Sequence, residues 1–321
     1  MNPDLTEAIP RMVESGILDE AKGRILLRLA QDKLVSIHPE LRFLYYLGVL
    51  LTTTGVGLLL KENYQHIGPV AIAVGIGIGA LASFAWAVRK APPFSWGEVP
   101  SPSLSYDYAL LLGVLLAAAD LAFIEVQFTP LGAHWPWHLL ITSLLMAGIS
   151  IRYDSRTIFS LALSTFAAWR GLSVSLIEKP LWHITDESIR WNAICCGLLF
   201  VLLGRFLQRT GRKPHFESIA VHLGWLLILG ALVSGSWRNG LDAAVYIVLL
   251  AAVGAGLAWR SFRKQRFSLF AFGILAVFIA LNDLVVRSHF DFVAKSLLVS
   301  LASIGLIVLL WKAHRKMKEP L

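Results

Sequence analysis

The chain has 321 residues, of which 56% are hydrophobic and only 16% charged, with a mean hydropathy of +0.65. A soluble domain carries roughly 25% charged residues, so this composition excludes a soluble enzyme, a nucleic-acid reader and a disulfide-stapled secreted domain. The formal charge of +8 therefore matters by its placement rather than its sum.

Residues 1–42 carry charge throughout and hold no uninterrupted apolar stretch, so they do not read as a cleaved signal. They predict a short cytoplasmic helical hairpin. Leu5, Ile9, Met12 and Val13 fall on one helical face, with Pro10 marking a kink or a new first turn. Ser15-Gly16 ends that helix, because glycine tolerates the left-handed conformation beyond a C-cap. Asp19 is placed to cap a second helix with Ala21, Ile25, Leu26 and Leu29 on its apolar side. His38-Pro39 closes it.

Ten apolar runs follow, at about 43–60, 67–88, 107–124, 136–151, 157–177, 189–207, 216–235, 241–259, 267–286 and 293–311. Each approaches the length that crosses a hydrocarbon core of ~30 Å as a helix. The fold class is all-α: a polytopic integral membrane protein, with a ten-helix domain over 43–311 and a basic tail over 312–321. Twenty-two of the 29 Lys and Arg fall in 1–42, 89–106, 152–156, 205–215, 260–266 and 312–321. The opposite connections hold six, and Arg170 lies inside a span. Cytoplasmic loops retain Lys and Arg, so both termini are expected in the cytoplasm and the chain in a plasma membrane, the inner membrane of a bacterium. The basic excess reads as topology and lipid attraction, with the bilayer as partner and no nucleic acid. Trp135, Trp137, Trp182, Trp191 and Trp237 mark outer ends, and Trp86, Trp259 and Trp311 inner ends, as an aromatic belt does.

The runs VESGILDEAKGRILLRLAQDK and LYYLGVLLTTTGVGLLLKENYQHIGP carry a resemblance. A Gly16-Ile17 turn between short helices precedes a span with Gly48, Gly55 and Gly57 and then Asn63-Tyr64. Over about the first 90 residues this is similar to the opening of a prokaryotic membrane-protein family, domain of unknown function 2157. The usual pair there is Asn-Trp, and Tyr64 departs from it. The resemblance implies an integral membrane protein and no particular activity.

Glycines 75, 77 and 79 resemble a dinucleotide loop, but no strand precedes them. Gly75 and Gly79, four apart, predict a bare helix face for close packing, and Gly254 and Gly256 predict the same. The four prolines of APPFSWGEVPSPSLSY predict an extended cytoplasmic linker. Cys195 and Cys196 are adjacent in an apolar run and read as small buried residues.

Ionisable groups inside spans are costly, and each is a functional candidate. Asp120 and Arg170 both lie roughly 20 Å from the cytoplasmic ends of their spans, at about 1.5 Å per residue. A salt bridge between them would lessen the cost of burying either. Asn282 and Asp283 lie at similar depth, and Glu125, His134, His138 and Asp242 near the outer mouth. In one reading Asp120, Arg170, Asn282, Asp283 and Glu125 line an outward-half cavity for a small solute, with Arg170 pairing an anion and Asp120 and Asp283 coupling or gating. In the other they are structural. His134 and His138 share the spacing of metal ligands, but Pro136 between them suggests a helix start. His222 reads as a hydrogen-bonded interior histidine.

There is no P-loop, HExxH or nucleophile elbow, so neither a catalytic residue nor a metal or other cofactor is expected, and the chain is not expected to be an enzyme. The functional expectation is a transporter or permease of a small solute. Ten helices would divide into five and five of opposite orientation, as an inverted repeat requires, although the halves show no sequence repeat. The alternative is a scaffold or regulatory subunit, whose N-terminal residues 1–36 hold a cytoplasmic protein partner.

Overall fold

The computed structural model describes residues 3–16, 18–20, 22–23, 26, 43–52, 54–55, 57–58, 68–170, 187–238 and 240–318, and these contain helices and no strand. The chain divides into two compact units, residues 1–67 and 68–321.

In the first unit, α1 (Pro3–Glu14) runs unbroken through Pro10. It ends where expected, with Gly16 at φ 73° and the Leu18 N–H reaching back to the Met12 carbonyl. The Asp19 carbonyl accepts the Gly23 N–H at 2.8 Å, the opening bond of a second helical segment. A Cβ on Gly23 would strike Val13 Cγ2, so the two segments touch as a hairpin must. Residues 27–42 lie outside the described residues, as does the end of the first span, of which α2 (Phe43–Thr52) is described.

The second unit holds α3 (Pro69–Arg89), α4 (Leu104–Phe128), α5 (Trp137–Tyr153), α6 (Arg156–Trp169), α7 (Glu187–Thr210), α8 (Phe216–Ser236), α9 (Leu241–Arg263), α10 (Phe267–Arg287) and α11 (Phe292–Lys318). Seven of these are long and apolar enough to cross a membrane. The exceptions are α5 and α6, at 17 and 14 residues. At about 1.5 Å per residue they cover roughly 25 and 21 Å, short of a full crossing, and residues 171–186 beyond α6 are not among those described.

Neighbours pair along the chain: α3 with α4, α5 with α6, α7 with α8, and α9 with α10, while α8 also packs on α6, α9 and α10. Helices in lipid gain nothing from hiding apolar surface from each other, so association depends on close van der Waals fit. The α7–α8 pair shows this most clearly. A Cβ on Gly197 would lie 2.6 Å from the Gly224 carbonyl oxygen, and one on Gly224 would lie 2.6 Å from that of Gly197. Around this contact Ile228, Leu232, Ile247, Leu250 and Leu257 form a core shared by α8 and α9, joined by Leu269 and Ala276 of α10.

The glycine expectations are partly corrected. Gly254 meets the Gly273 carbonyl, but Gly256 faces open space. In α3 the close contacts are Gly77 against Asp120 and Gly79 against Leu116, while Gly75 is open. The rotation of a helix about its axis decides this, and spacing alone does not reveal it. The last helix rests on α10 through Ala313, while Leu297, Leu301, Ile304 and Ile307 stay exposed, as a lipid-facing wall would. Trp135, Trp137, Trp191 and Trp237 near one set of helix ends, and Trp86, Trp259 and Trp311 near the other, are all exposed. Lys90 lies over the Trp86 ring and Arg263 over that of Trp259, which fits a headgroup-level belt.

Candidate functional site

One end of the second unit gathers the cations of 89–90, 152–156, 205–215, 260–266 and 312–318, and we call it the basic end. Here the proline-rich segment is extended but is not a free linker. Between Arg89 and Leu104 it is held by Asp154, in the α5–α6 turn, and by Lys213, in the α7–α8 turn. The Val99 N–H donates to Asp154 Oδ2 at 2.5 Å, and the Lys213 N–H donates to the Trp96 carbonyl at 2.7 Å. Lys213 Nζ reaches Gly97 O at 3.3 Å and Asp154 Oδ2 at 3.2 Å. His215 Nε2 stands 2.5 Å from Asp154 Oδ1, without the alignment of a hydrogen bond.

These three side chains are 2–5% exposed, so the clasp is a buried charge cluster and each member depends on the others. Prolines explain why the segment takes it: they fix φ and leave few N–H groups to satisfy. Arg156 adds an outer strap to Glu98 at 2.6 Å, and Arg212 lies over Trp96. Ser103 and Ser155 cap α4 and α6 by accepting the N–H groups of Tyr106 and Ile158. Sequence reading missed the clasp. Its only local trace is that Asp154 and Lys213 sit in tight turns, with φ of 58° and 47°.

The five residues expected to line an outward-half cavity are distributed differently. Asp120, about two-thirds of the way along α4, faces Gly77 of α3, and its Oδ1 is buried with no hydrogen-bond partner. Arg170, the exposed residue that ends α6, donates to Asn192 Oδ1 of α7 at 2.8 Å and lies beside Trp169. Asp120 and Arg170 thus meet different partners and form no ion pair with each other. Glu125 is buried and accepts the Leu131 N–H at 3.3 Å, tying the loop after α4 to its own helix end. Asn282 donates to Phe278 O one turn back, and Asp283 pairs with Arg287 one turn on, at 3.2 Å. Arg287 also donates to the carbonyls of Ser236 and Arg238, closing α10 on α8.

A cavity of about 210 Å³ lies between α3, α4 and α5, walled by Phe84, Val114, Leu121, Thr142, Leu145 and Met146. It holds none of the five. Thr142 Oγ1 is its one polar group left without a hydrogen bond among those described, so it suits an apolar occupant.

Other candidates take local roles. His134 ends a 3₁₀ turn (Gly132–His134), and His138 Nδ1 stands 2.5 Å from Trp135 O in the first turn of α5. His222 accords with a hydrogen-bonded interior histidine: Nδ1 contacts Ser218 O at 2.5 Å and Nε2 contacts Ser268 Oγ at 2.6 Å. Donation to the carbonyl assigns the proton to Nδ1 in the neutral ring. Cys196 is buried and Cys195 exposed, both as free thiols.

The model of the family described as "Predicted membrane protein (DUF2157)" matches residues 10–159, from α1 to the start of α6. Over residues 10–159 the chain is similar to that family. The match extends the likeness beyond the first 90 residues, through the α3–α4 hairpin with Asp120 and the proline-rich segment to Asp154. Lys213 and His215, which complete the clasp, lie beyond it. No curated protein and no solved structure matches the chain.

Proposed function

We propose that the chain crosses a plasma membrane ten times with both termini in the cytoplasm, and that it moves a small solute without converting it chemically. In this reading Asp120 is the group that takes up and releases a proton. The supporting observation is the Asp120 carboxylate: within α4, one oxygen buried and unbonded, against a glycine that offers no counter-charge. An ionised carboxylate in such a place is costly, and a neutral one is tolerated. Protonation therefore changes how α3 and α4 fit together. Arg170, oriented by Asn192, is the cation an anionic solute would meet at the opposite end. The Lys/Arg bias supports the orientation.

A second reading is favoured by the clasp. It ties three loops into one face, which in this reading is cytoplasmic and serves as a scaffold for a protein partner held by residues 1–36. Currents on a solid-supported membrane separate the two readings. The permease reading expects a current on addition of at least one solute from a panel of small organic anions, lost in Asp120→Asn with the fold retained. Silence across the panel, together with a stoichiometric protein that no longer co-purifies when residues 1–36 are deleted, would establish the scaffold instead.

A further inference from the structure

The basic end contains a second feature, independent of the clasp and of any transport. A cavity of about 310 Å³ opens there between α7, α8, α9 and α10, at the lower limit of small-molecule pockets. Its floor is apolar, made by Val221, Trp225, Leu257 and Leu269, and its rim carries Arg205, Arg260, Lys264 and Arg266. One carboxylate answers them: Glu217, 8% exposed, bonded to Arg266 at 2.5 Å. Arg205, Arg260 and Lys264 form no ion pair among the described residues. Arg205 is close enough to Arg260, Arg266 and Arg209 to feel the repulsion of each, with Glu217 alone opposing them.

Topology explains cations at this end, and cations also suit the last turns of α7 and α9. Neither explains their convergence on one concavity with a single acid. Gathered like charges in a site walled by apolar groups raise its energy until an anion enters. Guanidinium forks match the oxygens of a phosphate, and the apolar floor suits whatever the phosphate is attached to. Basic pockets between helices at this level are where phosphate headgroups are bound.

We propose that this cavity binds a phosphate group, carried by an anionic phospholipid or free in the cytoplasm. The test uses the full chain in nanodiscs. Lipid retention is read by native mass spectrometry in mixed phosphatidylcholine and phosphatidylglycerol. Thermal midpoint is read in phosphatidylcholine alone against inorganic phosphate, with chloride at matched ionic strength as control. The comparison variant is Arg260→Gln/Lys264→Gln, both exposed, with Arg205→Gln as a second.

Retained phosphatidylglycerol, reduced at least tenfold in the variant, with no response to phosphate, supports the headgroup source. A midpoint raised by phosphate but not chloride, with affinity at least tenfold weaker in the variant, supports free phosphate. In either case the variant without ligand should melt no lower than the parent, because removing a cation relieves repulsion. Equal lipid retention by parent and variants, with no phosphate-specific stabilisation, overturns the proposal. Neither readout depends on Asp120 or on transport.

Discussion

The two ends of the second unit use charge differently. At the basic end, polar side chains join elements far apart in the chain: Asp154 to Val99 and Lys213, Glu98 to Arg156, and Glu217 to Arg266. Toward the other end they mostly bond within a helix or the adjoining loop, as with Asp283 and Arg287, Arg238 and Asp242, Asn282 and Phe278, and Glu125 and Leu131. Arg170 with Asn192, and Arg287 with the carbonyls of Ser236 and Arg238, are longer links there. Charge at the basic end therefore builds tertiary structure, and at the other end it chiefly neutralises itself. A substitution that strips a partner should hurt in proportion.

The largest effect is expected for Asp154→Ala, which leaves Lys213 buried with its charge uncompensated. The cost is about 3–5 kcal/mol, measured as a lowered unfolding midpoint in detergent. Adding Lys213→Met should recover much of it. An additive double variant would mean that the clasp is not a coupled pair. Next is Gly224→Val, whose added carbons meet the Gly197 carbonyl. Overpacking of this kind costs about 1–3 kcal/mol and should broaden the size-exclusion profile, whereas Gly75→Val, facing open space, should leave the profile unchanged. If the two behave alike, the α7–α8 contact is not what holds that pair. The smallest effect is expected for Asp242→Asn. That carboxylate is 67% exposed and 3.7 Å from Arg238, so the change should fall below about 0.5 kcal/mol. A loss as large as that of Asp154→Ala would erase the contrast between the ends.

The helices were legible in sequence because apolar runs stop at charges and turns. The stretch expected over 216–235 is Phe216–Ser236, and that over 267–286 is Phe267–Arg287. The short α5 was legible too, since 136–151 is the shortest of the ten runs and forms one of the two short helices. What residue counting cannot supply is rotation about each helix axis and the lateral order of helices. For that reason Asp120 turns to Gly77, Arg170 to Asn192 and Asp283 to its own helix. The clasp stayed hidden for a related reason. Asp154, Lys213 and Trp96 are up to 117 residues apart in sequence, and prolines signal an extended segment without saying what it lies against. The cationic cavity was hidden in plain view, because four of its cations had already been explained by topology.

The central claim is that the basic end is one built structure rather than a set of loops. Amide hydrogen exchange tests it most directly, because the Val99 and Lys213 N–H groups are bonded to Asp154 and to the Trp96 carbonyl. The account predicts slow exchange at both, with protection lost at both in Asp154→Ala while the amides within α8 stay protected. Exchange of Val99 and Lys213 at the rate of an unstructured loop in the parent protein would contradict it.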